Sequence, residues 1–446
     1  MKTRKISLMI GCLLFFLSGT RGFAQEKAWT LEECINYALE KNVSIRQAGL
    51  TSEKDKLYSD QAVANRFPSV SASVSQKFNW YKGFDSMTGK YGSSNGSNNS
   101  SYSLSSSVTL FNGKTLNNKI KQADLDLEAS QYNTETVKES VSLSILNAYL
   151  EVLYAVESVN NAEKQVESTT EQLNLAQERV NLGVISMSDY LQIKSELATE
   201  KSTLASAKNT LATNKVTLMQ LMEIPVDLNF EITSPNLDSL LVHVEQPNAQ
   251  EIYNLALGIK PQIKNAELST ESAKLDIAMA KAEALPSLSL SAGLSTNYSS
   301  LTDGSYHYQM KNQVNPAIGL SLSIPIYQKK QVKTDIGVAK ISVADAQLEE
   351  INTRNELRKN IEQACVDVIT AQTKYAATTD QYASAKESYQ VAEEKYTVGL
   401  LNSVDFLSVK TDLITAESEL LQAKYNLVFS YKILDFYKGV PLSLSK

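Results

Sequence analysis

The sequence predicts an α+β membrane protein: four amphipathic strands per chain contributed to a β-barrel shared between copies, joined to long antiparallel coiled-coil helices. Three observations predict it. Four stretches alternate apolar residues with serine at a period of two; others keep a helical period over great length without proline or glycine; and the whole pattern occurs twice in tandem.

The chain opens with Lys2, Arg4 and Lys5, an apolar run from Ile6 to Leu17, and small residues at Gly22 and Ala24. That order predicts a secretory leader over 1–24 and an exported chain beginning at Gln25. Cys12 lies inside the apolar run rather than after it, which argues against a lipid-modified start. The formal charge is −6, and the leader holds cations and no acid, so the exported part is more acidic still. Nucleic acid is therefore a poor partner. Outside the leader no apolar run approaches the length of a spanning helix. Cys34 and Cys365 sit on helical patterns as packed small hydrophobes, and His243 and His307 are the only histidines. No constellation for zinc, thiol or histidine chemistry results, so neither an enzyme nor a cofactor is expected.

The first strand, 69–81, places Val70, Ala72, Val74, Phe78 and Trp80 on one face and Ser69, Ser71, Ser73 and Ser75 on the other. Residues 101–111 repeat this with Tyr102, Leu104, Val108 and Leu110 against serines. Residues 287–298 do so with Leu288, Leu290, Ala292, Leu294 and Tyr298, and residues 314–326 with Ile318, Leu320, Leu322, Ile324 and Ile326. Small neutral side chains suit a wet interior, and Trp80 with Tyr81 marks the level of a headgroup layer. About twelve residues at about 3.3 Å each, tilted by about 45°, climb roughly the height of the hydrocarbon core. Four strands leave open edges that lipid cannot satisfy, so the barrel must be completed by other chains. Residues 82–100 and 299–313 are expected as external loops.

The helices follow the same duplication. Leu182-Gly183 and Asp189-Tyr190-Leu191 recur as Val398-Gly399 and Asp405-Phe406-Leu407, offset by 216; Pro225 and Pro441 share that offset. Ile145, Ala148, Val152, Ala155, Val159 and Ala162 step by three and four as a coiled-coil seam, answered by Ile361, Ala364, Val368 and Ala371. Beyond each tip, Leu197, Leu204, Leu211 and Leu218 repeat every seven, as do Leu413, Leu420, Leu427 and Leu434. At about 1.5 Å per residue a helix over 114–182 reaches about 100 Å, and helices over 31–66 and 187–222 about half that. Two short helices stacked end to end thus lie beside each long one. A helix broken near Pro261 and a midway belt from 223–248 and the tail after Gly439 complete the second copy. The expected divisions are a first repeat over 25–228, an equatorial linker over 229–247 and a second repeat over 248–446.

With these elements in place the chain resembles the TolC family of outer membrane factors. The resemblance rests on Trp29-Thr-Leu-Glu-Glu with Ala38-Leu39 and Asn42, on Phe67-Pro68 and Leu285-Pro286 at the strand entries, and on Val180-Asn-Leu-Gly183 and Tyr396-Thr-Val-Gly399 at the tips. It covers essentially the whole exported chain. It implies a homotrimer with a twelve-stranded barrel in outer membrane lipid and a helical tunnel in the periplasm. It also implies an exit duct served by a periplasmic adaptor and an inner-membrane pump, with small molecules or drugs as cargo ahead of type I protein secretion. A coiled-coil surface fibre accounts for the heptads but not for the four strands.

Family members narrow the tunnel near the tips with acidic rings, and Asp405 and Asp189 match such positions. Ser186-x-x-Asp189 and Asn402-x-x-Asp405 also read as helix N-caps, a role compatible with a constriction. Tyr396 matches a tyrosine near the gate and equally belongs to the stripe Tyr375, Tyr382, Tyr389. Leu401 and Ser408 stand where a gate-tying arginine and a second acidic ring can sit, so a salt-bridged gate is not expected. The tips themselves, Leu182, Gly183, Val184 and Ser186 with Val398, Gly399, Leu400 and Asn402, are the expected adaptor contact.

Overall fold

The computed structural model describes residues 28–227, 229–235 and 246–444; the leader over 1–24 with Cys12, and His243, lie outside the described residues. Thr30 opens α1 (Leu31–Lys41) with a capping box, its Oγ1 accepting from Glu33 N at 3.2 Å while Glu33 Oε2 accepts from Thr30 N at 3.1 Å. The single helix expected over 31–66 is two, because α2 (Val43–Ala64) starts afresh after Asn42. Asn42 takes an extended backbone, caps Ser44 N at 2.9 Å and donates to Leu221 O at 3.0 Å. Its short amide offers the backbone an alternative to the helix. The second repeat breaks at the equivalent place, where Lys260 separates α5 (Ala249–Ile259) from α6 (Pro261–Ala282) and Pro261 takes the first helical position.

The long helices are α3 (Thr115–Asn181) and α8 (Gln331–Thr397), each turning at a tip into α4 (Met187–Leu221) or α9 (Ser403–Tyr437). The duplication extends to backbone geometry. Lys114 and Lys330, at the strand-to-helix turns, are both left-handed, with φ of 73° and 66°. The seam predicted for α3 is buried at Ile145, Ala148, Val152, Ala155, Val159 and Ala162, and that of α8 at Ile361, Ala364, Val368 and Ala371.

Two apolar clusters sit midway along the helices and correspond through the repeat. The first joins Cys34 and Ala38 of α1, Ile145, Tyr149 and Val152 of α3, and Leu218 of α4. The second joins Ile252 and Ala256 of α5, Ile361, Cys365 and Val368 of α8, and Leu434 of α9. Each fully buried Leu, Ile or Val contributes about 1.5–3 kcal/mol. The belt is fastened to the first cluster: Trp29 N donates to Glu231 O at 2.9 Å, and Leu442 and Leu444 of the tail pack there. Both cysteines are buried free thiols, and burial pushes Cys34 up to about 12.

The strands form one antiparallel sheet in the order β1 (Ser69–Asp85), β2 (Lys90–Asn112), β3 (Ser287–Ser299), β4 (Asn315–Ser323). Register puts the serines on one face: Ser73 lies opposite Ser103 and Ser103 opposite Ser295, while Ala72, Leu104, Leu294 and Pro316 align on the other. Four expectations change. The loop over 82–100 is mostly strand, since β1 and β2 continue as a hairpin turning at 86–89. The loop over 299–313 carries a short helix, α7 (Tyr306–Asn312). A bulge between Thr109 and Phe111 brings Phe111 opposite Leu288, so the alternation slips by one residue there and Leu110 is left without a partner in the register. β4 stops at Ser323, ahead of Pro325, so Ile324 and Ile326 lie past its end.

Candidate functional site

At the tips both long helices end in the same Schellman turn. Gly183 N donates to Val180 O and Val184 N to Arg179 O, both at 2.9 Å; Gly399 N donates to Tyr396 O at 3.1 Å and Leu400 N to Lys395 O at 2.8 Å. Gly183 and Gly399 have φ of 74° and 79°, which a side chain would strain. These turns push apolar side chains into solvent: Leu182 is 77% exposed and Leu400 79%, with Val184 and Val398 close behind.

The return helices start on the predicted caps. Ser186 Oγ accepts from Asp189 N at 3.1 Å, and Asp189 Oδ2 accepts from Ser186 N at 3.2 Å. Asn402 Oδ1 accepts from Asp405 N at 2.9 Å, and its Nδ2 donates to Asp405 Oδ2 at 2.8 Å. The two aspartates differ beyond that. Ser186 Oγ donates in turn to Asp189 Oδ2 at 2.7 Å and Ser403 Oγ of α9 donates to Oδ1, and these two hydroxyl donors hold the carboxyl below the usual range. Asp405 is exposed. Tyr396 stacks on Phe406, ring centroids 4.6 Å apart and planes 9° from parallel, with the Arg179 guanidinium 6.0 Å from its ring; burial pushes its hydroxyl up. The structure thus brings Asp189 and Tyr396 into contacts between the two helical hairpins and leaves Asp405 facing solvent.

Several residues at this end escaped the sequence reading. Arg179 Nη2 donates to Thr397 O at 2.9 Å, and Gln172 Nε2 to the Tyr389 hydroxyl at 3.3 Å. Farther from the tips, Lys410 of α9 enters between α3 and α4. Its ammonium meets Glu200 Oε1 at 2.8 Å and donates to Thr169 Oγ1, with the lysine and glutamate side chains 5% and 6% exposed. Glu200 Oε2 has no hydrogen-bond partner among the described residues. A signal existed: Glu200 falls three residues after Leu197 and four before Leu204, an inward seam position, and Lys410 stands three before Leu413.

At the other end the serine face is a ladder of hydroxyls, Ser71 Oγ lying 2.9 Å from Ser105 Oγ and Ser69 Oγ 3.2 Å from Ser107 Oγ. Among the described residues no group of acidic, histidine or cysteine side chains could hold a metal ion, and no helix is long and apolar enough to cross a membrane.

A sheet with one hydroxyl-lined and one apolar face, set on coiled coils that end in apolar tips, defines a membrane duct with a helical extension. The chain belongs to the Outer membrane efflux protein family, whose model matches residues 34–222 and again 252–439. It is an outer membrane channel with periplasmic helices, in a family of channels rather than enzymes. The same fold is found in CusC (TM-score 0.80, 18% identity, 94% of this chain and 96% of that one). It is found also in the CmeC outer membrane channel of Campylobacter jejuni (0.76, 19%, 93% and 87%). The MtrE outer membrane channel of Neisseria gonorrhoeae, solved in its open state, is similar too (0.74, 21%, 92% and 88%). Among curated proteins none matches the chain by sequence.

Proposed function

We propose that the chain works as a homotrimeric exit duct of a tripartite efflux system, carrying small molecules handed over by a periplasmic adaptor and an inner-membrane pump. The observation that carries this reading is the exposed apolar tips, Leu182 and Val184 beside Val398 and Leu400, held out on rigid turns at the end of the coils far from the barrel. Paired apolar side chains on a helical turn suit a groove on a helical partner. Repeats over 25–228 and 248–446, joined by 229–247, would place six such tips in a ring. Asp405, and with it Asp189 and Tyr396, would line the narrowing just inside that ring.

Trimer formation is supported by what the chain leaves uncovered. Within one copy α6 packs against both α3 and α8. The repeat-equivalent pairing, α2 against α8, is not among the substantial helix packings within the chain. Leu50, Leu57 and Tyr58 of α2 and Ile341, Leu348 and Ile351 of α8 are exposed instead. β1 and β4 likewise each pair on one side only among the described strands, and three copies joined edge to edge would close a barrel.

The test is a photo-crosslinker placed at Leu400 in intact cells. An adaptor-type periplasmic protein should be captured, together with its pump; a small-molecule pump supports the proposed cargo, and a protein-exporting ATPase replaces it with type I secretion. Channels that assemble and reach the surface yet capture no adaptor from either tip would end the proposal.

A further inference from the structure

α7 is fixed in place rather than loose. Gln309, only 1% exposed, accepts from Ser299 N at 3.0 Å through Oε1. Its Nε2 donates to the carbonyls of Ser299, Thr302 and Gly304 at 3.1, 2.9 and 3.0 Å. The register decides which face of the sheet the helix lies on. Leu104 is opposite Leu294, Tyr102 opposite Thr296 and Ser100 opposite Tyr298, and alternate pairs share a face. Thr296 Oγ1 donates to Met310 O at 2.9 Å, the Tyr306 ring lies 4.9 Å from that of Tyr298, and the Tyr306 and Tyr102 hydroxyls are 2.7 Å apart. α7 therefore covers the outer end of the apolar face and not the hydroxyl face. Phe78 and Trp80 stack on that same face at that same end, Trp80 being 73% exposed, and Tyr308, His307 and Lys311 are exposed on α7.

We infer that α7 sits outside the barrel as an interfacial helix, immersed in the headgroup layer of the outer leaflet. Phe78, Trp80, Tyr306 and Tyr308 form its aromatic contact with lipid, and Lys311 meets lipid phosphate. The inference rests on the reading that the apolar face meets lipid, and it follows from continuity: the helix extends that face at its outer end. Tyrosine and tryptophan favour the level where ring and hydroxyl can be served at once, and a lysine can extend its ammonium from there to phosphate. The same segment laid over the serines would have been a plug. On the apolar side it fixes how deep the barrel rides.

The test uses the full-length channel with Trp80→Phe, whose remaining Trp29 lies in the belt and supplies a background subtracted from each variant, reconstituted in phosphatidylcholine vesicles whose acyl chains carry bromine near the glycerol end. Tyr308→Trp should lose most of its emission to bromolipid, as should the control Leu294→Trp in mid-sheet. Ser295→Trp on the hydroxyl face should respond to aqueous iodide instead. If Leu294→Trp is untouched by bromolipid, the orientation of the barrel is wrong. If Leu294→Trp is quenched while Tyr308→Trp responds only to iodide, the barrel reading stands and the interfacial helix is overturned.

Discussion

Replacing Lys410 by Met should be among the most damaging single changes in the coiled coils. The side chains of Lys410 and Glu200 are nearly inaccessible, their charged atoms are 2.8 Å apart, and Glu200 Oε2 already lacks a hydrogen-bond partner among the described residues. Removing the ammonium leaves a buried carboxylate with no counter-charge, and Thr169 loses its contact as well. Breaking such a pair costs about 3–5 kcal/mol, whereas replacing both charges by uncharged groups of similar volume is often neutral. Met is close to Lys in length and shape, so little of the loss can be assigned to a cavity. Lys410→Met and Glu200→Gln should each lower the midpoint of denaturant-induced loss of helicity in detergent-solubilised channel. The double variant should regain most of that loss, giving a coupling energy of about 2–4 kcal/mol. The readout should sit near the tips: backbone amides of 160–176 and 403–416 should lose exchange protection while the equatorial cluster around Ile145 and Leu218 keeps it. Single and double variants that add independently would show that the pair does not hold the hairpins together.

On the sheet, Leu290→Arg should cost about 2–4 kcal/mol and block assembly, whereas its neighbour Ser291→Arg should assemble and reduce single-channel conductance; equal assembly of both would reverse the assignment of faces. At the tips, Val184→Trp and Leu400→Trp should abolish export yet leave trimers intact on native gels, and surviving export would move docking elsewhere. Asp405→Asn keeps the cap and removes an exposed charge, so it should weaken cation selectivity in planar bilayers with melting nearly unchanged; lost stability with unaltered selectivity would make it a cap alone. Asp189, whose carboxyl is held below its ordinary value by Ser186 and Ser403, stabilises the tip above its unfolded pKa, and that stabilisation is lost as pH falls through the folded value. Tip exchange protection should therefore drop below about pH 4 in the native channel and show less acid dependence in Asp189→Asn; identical acid profiles would remove Asp189 from the account.

How much could be read in advance depended on whether the signal was periodic or singular. Serine alternation placed the strands and their faces because a two-residue period has only one register that keeps Leu104 and Leu294 together. The seams and the duplication were legible because a packing stripe repeats many times and survives local noise. The bulge at Leu110 has no period and shows only as an interruption in hydrogen bonding. Asn42 lies inside an otherwise helical pattern, and its amide outweighs a preference of only a fraction of a kcal/mol. α7 has seven residues, too few to form alone, and exists because Gln309 satisfies three carbonyls of a neighbouring turn.

The same distinction separates the two ends of the helices. Heptads specify how α3 pairs with α4 and α8 with α9, but they carry no instruction for how one hairpin meets the other. Midway, that relation is fixed by apolar burial, since Tyr425 and Val428 of α9 join the cluster of α1, α3 and α4. Farther out that relation rests first on the buried Lys410–Glu200 pair and then, nearest the tips, on single polar contacts: Gln172 with Tyr389, Arg179 with Thr397, Ser403 with Asp189. A hydrogen bond of this kind, exposed or only part-buried, contributes about 0.5–1.5 kcal/mol net. Each of these tip contacts can be exchanged for water at little cost, whereas parting the buried Lys410–Glu200 pair costs about 3–5 kcal/mol and separating the equatorial cluster would expose several large side chains together. A movement that spreads the hairpins should therefore begin at the tips and meet its first strong resistance at the Lys410–Glu200 pair, short of the belt. Under the proposed duct reading, that gradient would let the periplasmic entrance change width while the barrel and the equator keep their shape.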